Sequence, residues 1–258
     1  MDTQIVTPAP ARPILELDLI ADFACPWSFL GKRSLERALG NLYGLPVRAL
    51  RWHGFRAKPE GLAALALGTA KNAVVKNDAT ADVASADPQQ SWRAHLATRL
   101  PSGVSVDFAH KSLAEAGEGL GIHFDFSRLE RVPDTREAHR LVALAAREEK
   151  HSETADSLFR AFFEQGRDIG DRAVVEAVGR EVGLSADTLA AFGKPEEGRD
   201  EIAADEKRLI GFGVVATPNL LINGRVLVPG PADSATYVQA LDQALFPELP
   251  AGEKKQLH

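Results

Sequence analysis

The chain has 258 residues, 45% of them hydrophobic and 26% charged, and its 30 Lys and Arg against 36 Asp and Glu give a formal charge of −6. This composition is typical of an ordinary globular protein and excludes collagenous, strongly disordered and membrane-embedded chains. Because the net charge is acidic and no basic stripe is present, nucleic acid is not expected as a partner. The length predicts one or two domains.

The N-terminal segment, Met1 to Pro13, has no positively charged lead into an apolar run, so it is not typical of a secretory signal. We expect a loose, extended tail there. The longest apolar runs fall short of the roughly 20 residues that a membrane-spanning helix needs. The sequence therefore predicts a protein with no membrane partner, and a cytoplasmic location follows by default.

The first part of the chain has the pattern of a strand, a helix and a second strand. Apolar and polar residues alternate from Ile14 to Ala21, with the period of two expected of a strand. From Trp27 onward the apolar positions recur every three or four residues, as in an amphipathic helix. Val47 to Trp52 is a second short strand. This order predicts a βαβ beginning.

The middle of the chain is predicted to be helical. The alanine-rich stretch from Ala57 to Ser102 predicts short helices joined by turns. Asp171 and Ser185 are candidate N-caps, because their side-chain oxygens can accept free backbone N–H groups. The apolar spacing predicts longer helices at residues 108–121, 135–149, 152–165, 172–182 and 185–192.

The C-terminal quarter returns to alternating strands and helices. Asn223-Gly224 is a strong hairpin signal, because both residues tolerate positive φ. Strands at both ends of the chain with helices between them predict an α/β protein with an all-helical insertion. The predicted elements are a helix at 199–210, strands at 219–222 and 225–228, and a closing helix at 233–245.

Cys25 is the single cysteine of the chain, which excludes an internal disulfide. It stands at the predicted start of a helix, where free N–H groups and the helix dipole stabilise a thiolate. Pro26 suits the first helical turn, and Ser28 offers a hydroxyl that can donate to the sulfur. The alternative is that Cys25 is a small buried apolar residue, as free cysteines often are.

The segment from Asp22 to Lys32, DFACPWSFLGK, resembles the active-site segment of DsbA-like oxidoreductases of the FrnE subgroup. This resemblance implies a thioredoxin fold with an inserted all-helical domain. The thioredoxin-like domain would comprise residues 1–56 and 196–258, and the helical insertion residues 57–195. The resemblance leaves the stretch from Ala57 to Ser102 poorly matched, but it extends, in the same order, to residues 51–55, 132–140, 159–171 and 213–219.

The resemblance also implies roles for individual residues. Cys25 and Ser28 are the catalytic candidates. Thr217-Pro218 is expected to be cis beside Cys25, with the Thr217 backbone offering hydrogen bonds to a peptide or glutathione. Without the resemblance, a trans bond would be expected, since only about 5–6% of X–Pro bonds are cis. Pro26 and Trp27 join them as candidates for binding substrate or glutathione, although Trp27 can equally be a core residue.

The sequence departs from the family pattern at Ser28, where the second cysteine of the redox motif normally stands. Serine cannot attack a mixed disulfide, so a simple dithiol oxidase is excluded. The first hypothesis is a DsbA-family thiol-disulfide oxidoreductase with Cys25 as its only nucleophile. Its mixed disulfide would be resolved by an external thiol such as glutathione, which acts as a co-substrate and not as a tightly bound cofactor.

Two other functions remain open. The related 2-hydroxychromene-2-carboxylate isomerases and kappa-class glutathione transferases place a serine in this segment. There, a hydroxyl such as that of Ser28 would stabilise the thiolate of glutathione during a reaction on a small aromatic substrate. A binding protein without catalysis is the third hypothesis. The family resemblance is compatible with a homodimer. No metal is expected, because no paired ligand spacing links His53, His95, His110, His123, His139 and His151.

Overall fold

The computed structural model describes residues 14–41, 47–55, 91–212, 214 and 216–246. The predicted N-terminal tail lies outside these residues. So does most of the alanine-rich stretch, for which short helices were expected. The sheet and the helices described below belong to these ranges, and so do Cys25, Thr217 and Pro218.

The described strands form one mixed four-stranded sheet with the order β2-β1-β3-β4. β1 runs parallel to β2 and antiparallel to β3, and β3 is antiparallel to β4. Leu19 in β1 therefore lies opposite Trp52 on one side and Leu220 on the other. This pairing confirms a sheet assembled from distant parts of the chain. The strands are β1 (Leu15–Ala21), β2 (Val47–Gly54), β3 (Asn219–Ile222) and β4 (Val226–Pro229).

The predicted helices within the described ranges are present, with shifted ends. Asp171 and Ser185 are confirmed as N-caps, because their side chains accept from the Ala173 and Thr188 N–H groups. A short helix begins after Ser91, which caps it; in chain order this helix comes after β2 and before the helices that Asp171 and Ser185 cap. The helices are α1 (Pro26–Asn41), α2 (Trp92–Ala97), α3 (Val106–Glu118), α4 (Arg136–Ala145), α5 (His151–Phe163), α6 (Arg172–Glu181), α7 (Ala186–Gly193), α8 (Arg199–Gly211) and α9 (Ser234–Leu245).

The helix predicted at 135–149 is shorter in the structure. α4 ends at Ala145, a 3₁₀ turn follows, and Glu149 closes it with a φ of 59°. At the other end, Thr135 does not cap the helix with its side chain. Its hydroxyl donates instead to Oδ1 of Asp22, at 2.9 Å. A tertiary contact has thus replaced the local cap. The predicted Asn223-Gly224 turn is confirmed, with positive φ at both residues.

The alternation of β1 distributes its side chains between two packed layers. Leu17 and Leu19 belong to a core that contains residues of α1 and α9. Ile20 packs in a separate cluster with Leu209 of α8. Both faces of the sheet are therefore covered by helices, as expected of an α/β fold.

Aromatic packing joins the helical region to the first βα unit. Phe29 of α1 stacks on Phe159 of α5, with ring centroids 4.9 Å apart. Phe23, in the loop before α1, contacts the same ring at 4.8 Å. The loop that carries Cys25 is thus anchored to both the sheet and the helices. The architecture confirms the predicted thioredoxin-like fold with an inserted helical region; the exact domain boundaries stay a prediction.

Candidate active site

Cys25 lies between the end of β1 and the first residue of α1. Its backbone N–H donates to the Asp22 carbonyl at 3.1 Å, which closes a tight turn. Pro26 then begins the helix, where its fixed φ fits and its missing N–H costs no hydrogen bond. Cys25 is buried, with 3% of its surface exposed. The local sequence therefore folds as expected, with Cys25 immediately before a helix.

The loop before β3 meets Cys25 from the other end of the chain. The Thr217-Pro218 peptide bond is cis, as the family resemblance implied. The Cys25 thiol donates to the Thr217 carbonyl, with Sγ and O 3.6 Å apart. Close approach is possible because α1 carries Gly31 at this point. A Cβ there would lie 3.2 Å from Cγ of Pro218.

A cleft of about 370 Å³ opens beside the thiol. This volume is in the range of small-molecule sites. Pro26 is buried and is not part of its lining. Three of the predicted binding residues, Trp27, Thr217 and Pro218, do line it together with Cys25, Arg99 and Pro231.

Ser28 is completely buried and does not line the cleft. Its Oγ accepts a hydrogen bond from the Asp22 N–H at 3.3 Å. Its side chain also forms a hydrogen bond with Cys25 that favours the thiolate. Ser28 therefore interacts with the Cys25 thiol from the protein interior, and its hydroxyl is not part of the cleft surface.

The ionisation of Cys25 differs from what the helix start alone predicts. Burial raises the pKa of the thiol above its ordinary value, because removal from water penalises the thiolate. The Ser28 side chain, the positive charge of Arg99 and the contact with Thr217 oppose this effect without overcoming it. The resting protein therefore holds Cys25 as an uncharged thiol near neutral pH.

A buried carboxylate supports the loop. Asp22 accepts from the Ala24 N–H at 3.2 Å and from the Thr135 hydroxyl at 2.9 Å. Burial opposes its ionisation, but interactions with His139, Arg99 and the Ala24 N–H outweigh that cost and lower the pKa of Asp22. Asp22 is therefore ionised at neutral pH and ties the Cys25 loop to the helical region.

A larger cavity of about 630 Å³ lies between α4, α8 and the end of β2. Its lining includes Gly54, His139, Arg140 and Glu206 but no thiol. Size alone does not identify a reaction site. The cleft beside Cys25 is the candidate site because Cys25, the candidate nucleophile, lines it.

Residues 16–242 match the family model described as a DSBA-like thioredoxin domain. This match covers most of the chain. The protein belongs to the DSBA-like thioredoxin domain family. The FrnE subgroup within it stays a prediction from the sequence. A comparison with curated proteins gives no match.

Several solved structures share this fold. A probable DsbA oxidoreductase from Streptomyces coelicolor is 21% identical with a TM-score of 0.64, and the match covers 92% of each chain. A 2-hydroxychromene-2-carboxylate isomerase is 15% identical with a TM-score of 0.60, over 90% of this chain and 96% of the other. The cytosolic disulfide reductase DsbM from Pseudomonas aeruginosa, solved with GSH, is 20% identical with a TM-score of 0.53, over 89% and 95%. At these identities the likeness shows a common fold.

Sequence reasoning missed Arg99 and the role of Asp22 in this DsbA-like site. Asp22 stands three residues before Cys25, so the sequence predicts that the two residues are close together. The burial of the Asp22 carboxylate could not be predicted from the sequence. Arg99 comes from the poorly matched stretch and reaches the cleft only through the tertiary fold. Within the described ranges, no three His, Cys, Asp or Glu side chains are arranged to hold a metal ion. Nor does any helix there have the length and apolar character needed to cross a bilayer.

Proposed function

We propose that the protein is a thiol-disulfide exchange enzyme that works through Cys25 alone. The observation that carries this proposal is the position of the thiol in the cleft beside Thr217 and Pro218, with Ser28 where a second thiol would stand. A partner disulfide would bind along the cleft and react at Sγ. The thiol that completes the cycle must come from outside the chain.

The reaction has two exchange steps. The Cys25 thiolate attacks one sulfur of R–S–S–R′, which forms Cys25–S–S–R and releases R′–S⁻, and that thiolate takes up a proton. An external thiolate R″–S⁻ then attacks the sulfur of R, which forms R–S–S–R″ and returns Cys25 as its thiolate. One disulfide is consumed and one is formed, so no further oxidant is needed.

The burial of Cys25 supports a long-lived mixed disulfide. The environment that disfavours the thiolate has no such effect on an uncharged mixed disulfide. A thiol with a raised pKa is also a poor leaving group in the second step. We therefore propose that resolution by the external thiol limits turnover. By analogy with the cytosolic DsbM solved with GSH, glutathione is the external thiol we propose and the cytoplasm the compartment.

A glutathione-dependent isomerase or transferase is the second candidate. The apolar wall formed by Trp27, Pro218 and Pro231 would suit an aromatic ring. However, that mechanism was expected to use the Ser28 hydroxyl on the glutathione thiolate, and Ser28 is buried outside the cleft lining. The exchange reaction is therefore the stronger candidate.

Mass spectrometry after incubation with oxidised glutathione tests the proposal. We expect one glutathionyl adduct on the wild-type protein, none on Cys25→Ser, and release of the adduct by reduced glutathione. The isomerase would instead bind glutathione without covalent capture and would keep its turnover in Cys25→Ser. Failure of the wild-type protein to form an adduct at a pH where iodoacetamide labels Cys25 would overturn the exchange reaction.

A further inference from the structure

The helix α8 rests on the sheet over a small part of its surface. All of its residues are described, and only Glu206 and Leu209 among them are buried. Leu209 packs with Ile20 of β1. One face of the helix, from Arg199 to Glu206, lines the cavity of about 630 Å³ that separates α8 from α4. Because so little apolar surface of α8 is buried, its polar contacts have a large share in holding it in place.

His53 of β2 connects α8 to the sheet. Its Nδ1 lies 2.7 Å from Oδ2 of Asp205 in α8, and its Nε2 lies 2.7 Å from Oδ1 of Asp18 in β1. Burial opposes charge on the ring, but the two carboxylates outweigh it and raise the pKa of His53. The ring in turn holds the pKa of Asp205 below its ordinary value. A ring with both nitrogens protonated donates to both carboxylates at once.

The other charges around the ring come from the elements packed against it. Two arginines each pair with one of the two carboxylates. The helix α4 approaches the neighbouring position of β2, Gly54. The titratable and charged groups are Asp18 and Glu16 of β1, Arg51 of β2, Asp205 and Arg208 of α8, and His139 of α4.

Loss of one proton from His53 leaves a ring that can donate to only one carboxylate. A neutral imidazole has one N–H and one lone pair, whereas a carboxylate can only accept. The Asp18 side chain is 3% exposed, while that of Asp205 is 38% exposed and can turn to water. Since a buried charge without a donor costs more than an exposed one, the proton stays on Nε2. The lone pair of Nδ1 then faces Asp205 and repels it.

The chain continues from α8 to the residue that covers the Cys25 thiol. The Val214 N–H donates to the Leu209 carbonyl at 3.1 Å, and both residues belong to one buried cluster. Thr217 follows, and its carbonyl accepts the hydrogen bond of the Cys25 thiol. The position of Thr217 over the thiol therefore depends on the position of α8.

We propose that His53 and Asp205 form a pH-sensitive latch, which holds α8 on the sheet while the ring is charged and releases α8 when the ring loses a proton. Release loosens the contact of Thr217 with Cys25 and exposes the buried thiol to reagents. The cavity between α8 and α4 permits this movement, because few packed contacts are lost on that side. The inference concerns the exposure of the thiol and does not depend on the exchange reaction.

Hydrogen exchange of the α8 amides measures the release. Quench-flow exchange is followed by mass spectrometry, and each rate is divided by the intrinsic rate at the same pH to give a protection factor. We expect the protection of α8 in the wild-type protein to fall about tenfold between pH 6 and pH 9, as one charge-assisted hydrogen bond is lost. The amides of α9, which covers the other face of the sheet, are the internal reference and should keep their protection.

The variant Asp205→Asn separates the latch from a general loosening of the fold. A side-chain amide can accept from a protonated Nδ1 and can donate to its lone pair, so it fits both states of the ring. We expect this variant to lose the pH dependence and to protect α8 at pH 9 better than the wild type does. Misfolding cannot produce such a gain. The matched control is Asp200→Asn, which removes an exposed charge from the same helix and should behave as the wild type.

Labelling of Cys25 by iodoacetamide tests the link to the thiol. The readout is the wild-type rate divided by the rate of Asp205→Asn at the same pH, because ionisation of the thiol affects both proteins alike. We expect this ratio to rise from about one at pH 6 to about ten at pH 9, in step with the release of α8.

Two results would overturn the latch: wild-type protection of α8 that is the same at both pH values, or an equal fall in Asp205→Asn. A labelling ratio that stays at one while the protection of α8 falls would overturn the link to Cys25. Melting curves at pH 6 show whether the variants fold. His53→Gln, whose side chain does not titrate, must also lose the pH dependence and decides the matter if Asp205→Asn does not fold.

Discussion

Nε2 of His139 lies 3.5 Å from Oδ1 of Asp22, and both side chains are buried. The distance is long for a hydrogen bond but short enough for the ring to favour the carboxylate. His139 belongs to α4 in the helical region, whereas Asp22 belongs to the loop that ends in Cys25. This contact and the Thr135 hydrogen bond hold the loop that carries Cys25 against the helical region.

Gly54 provides the space in which the His139 ring sits. A Cβ at this position would lie 2.4 Å from Nδ1 and 2.5 Å from Cγ of His139. We expect Gly54→Ala to displace the ring from Asp22 and to lower the free energy of unfolding by about 1–3 kcal/mol, as overpacked cores do. Urea unfolding followed by circular dichroism measures the change.

Gly40 supplies the matched control. It lies in α1, and a Cβ there would meet nothing within 4 Å. Gly40→Ala should therefore be stabilising, by about 0.5–1 kcal/mol, because it removes backbone freedom from the unfolded chain. A Gly54→Ala variant as stable as the wild type would show that His139 does not need its present position.

The raised pKa of Cys25 predicts how its reactivity depends on pH. The thiolate fraction at neutral pH is smaller than in an unfolded chain and rises as the pH passes the raised pKa. We expect the midpoint of iodoacetamide labelling to lie above the roughly 8.5 of an ordinary cysteine. Ser28→Ala should move it higher, since a hydrogen bond to the thiolate is lost. A wild-type midpoint below 8 would contradict the structure.

Ser28→Cys tests whether the missing second thiol defines the chemistry. The Ser28 side chain already lies within hydrogen-bond reach of Cys25. A thiolate there can attack the mixed disulfide from within. We expect the glutathione adduct of this variant to resolve without added thiol and to leave a disulfide between positions 25 and 28. Ser28→Ala is the control and should retain the adduct as the wild type does. Persistence of the adduct in both variants would argue against internal resolution at this position.

His53 lies between two carboxylates on the face of the sheet that α8 covers. Its Nε2 is 2.7 Å from Asp18, and its Nδ1 is 2.7 Å from Asp205 of α8. Burial disfavours the charged ring, but the two carboxylates outweigh burial and raise the pKa of His53. The charged ring therefore stabilises the fold below about pH 6.5, and this contribution is lost as the pH rises through the raised pKa.

The variant His53→Gln removes this titration. Between pH 6 and pH 9 we expect the free energy of unfolding of the wild type to fall relative to that of the variant. Urea unfolding at a series of pH values measures the difference, and NMR of the imidazole gives the pKa of His53 directly. A wild-type protein whose advantage over His53→Gln grows with pH would mean that the ring is neutral between the two carboxylates.

Local sequence patterns predicted most of the fold. The alternation in β1, the amphipathic spacing of α1 and the tolerance of Asn223-Gly224 for positive φ are properties of neighbouring residues, so they were readable from the sequence. The caps at Asp171 and Ser185 are local in the same sense. The cis peptide bond before Pro218 was predicted only from the family resemblance.

The properties of the site that the sequence did not predict depend on distant contacts. The start of α1 predicts a stabilised thiolate, but burial of Cys25 by the rest of the fold outweighs that local effect. Arg99 enters the cleft from the turn after α2, in a stretch with no recognisable motif. His53 and Asp205 are 152 residues apart along the chain, and neither has a neighbour that would reveal the pairing.

The hydrogen bond between the Cys25 thiol and Thr217 spans 192 residues. During synthesis Cys25 leaves the ribosome long before the loop that carries Thr217. Until Thr217 and β3 have emerged and paired with β1, the thiol lacks both the cleft and the Thr217 carbonyl that accepts its hydrogen bond. In a nascent chain Cys25 therefore lacks its contact with Thr217, which forms only when the C-terminal quarter joins the sheet.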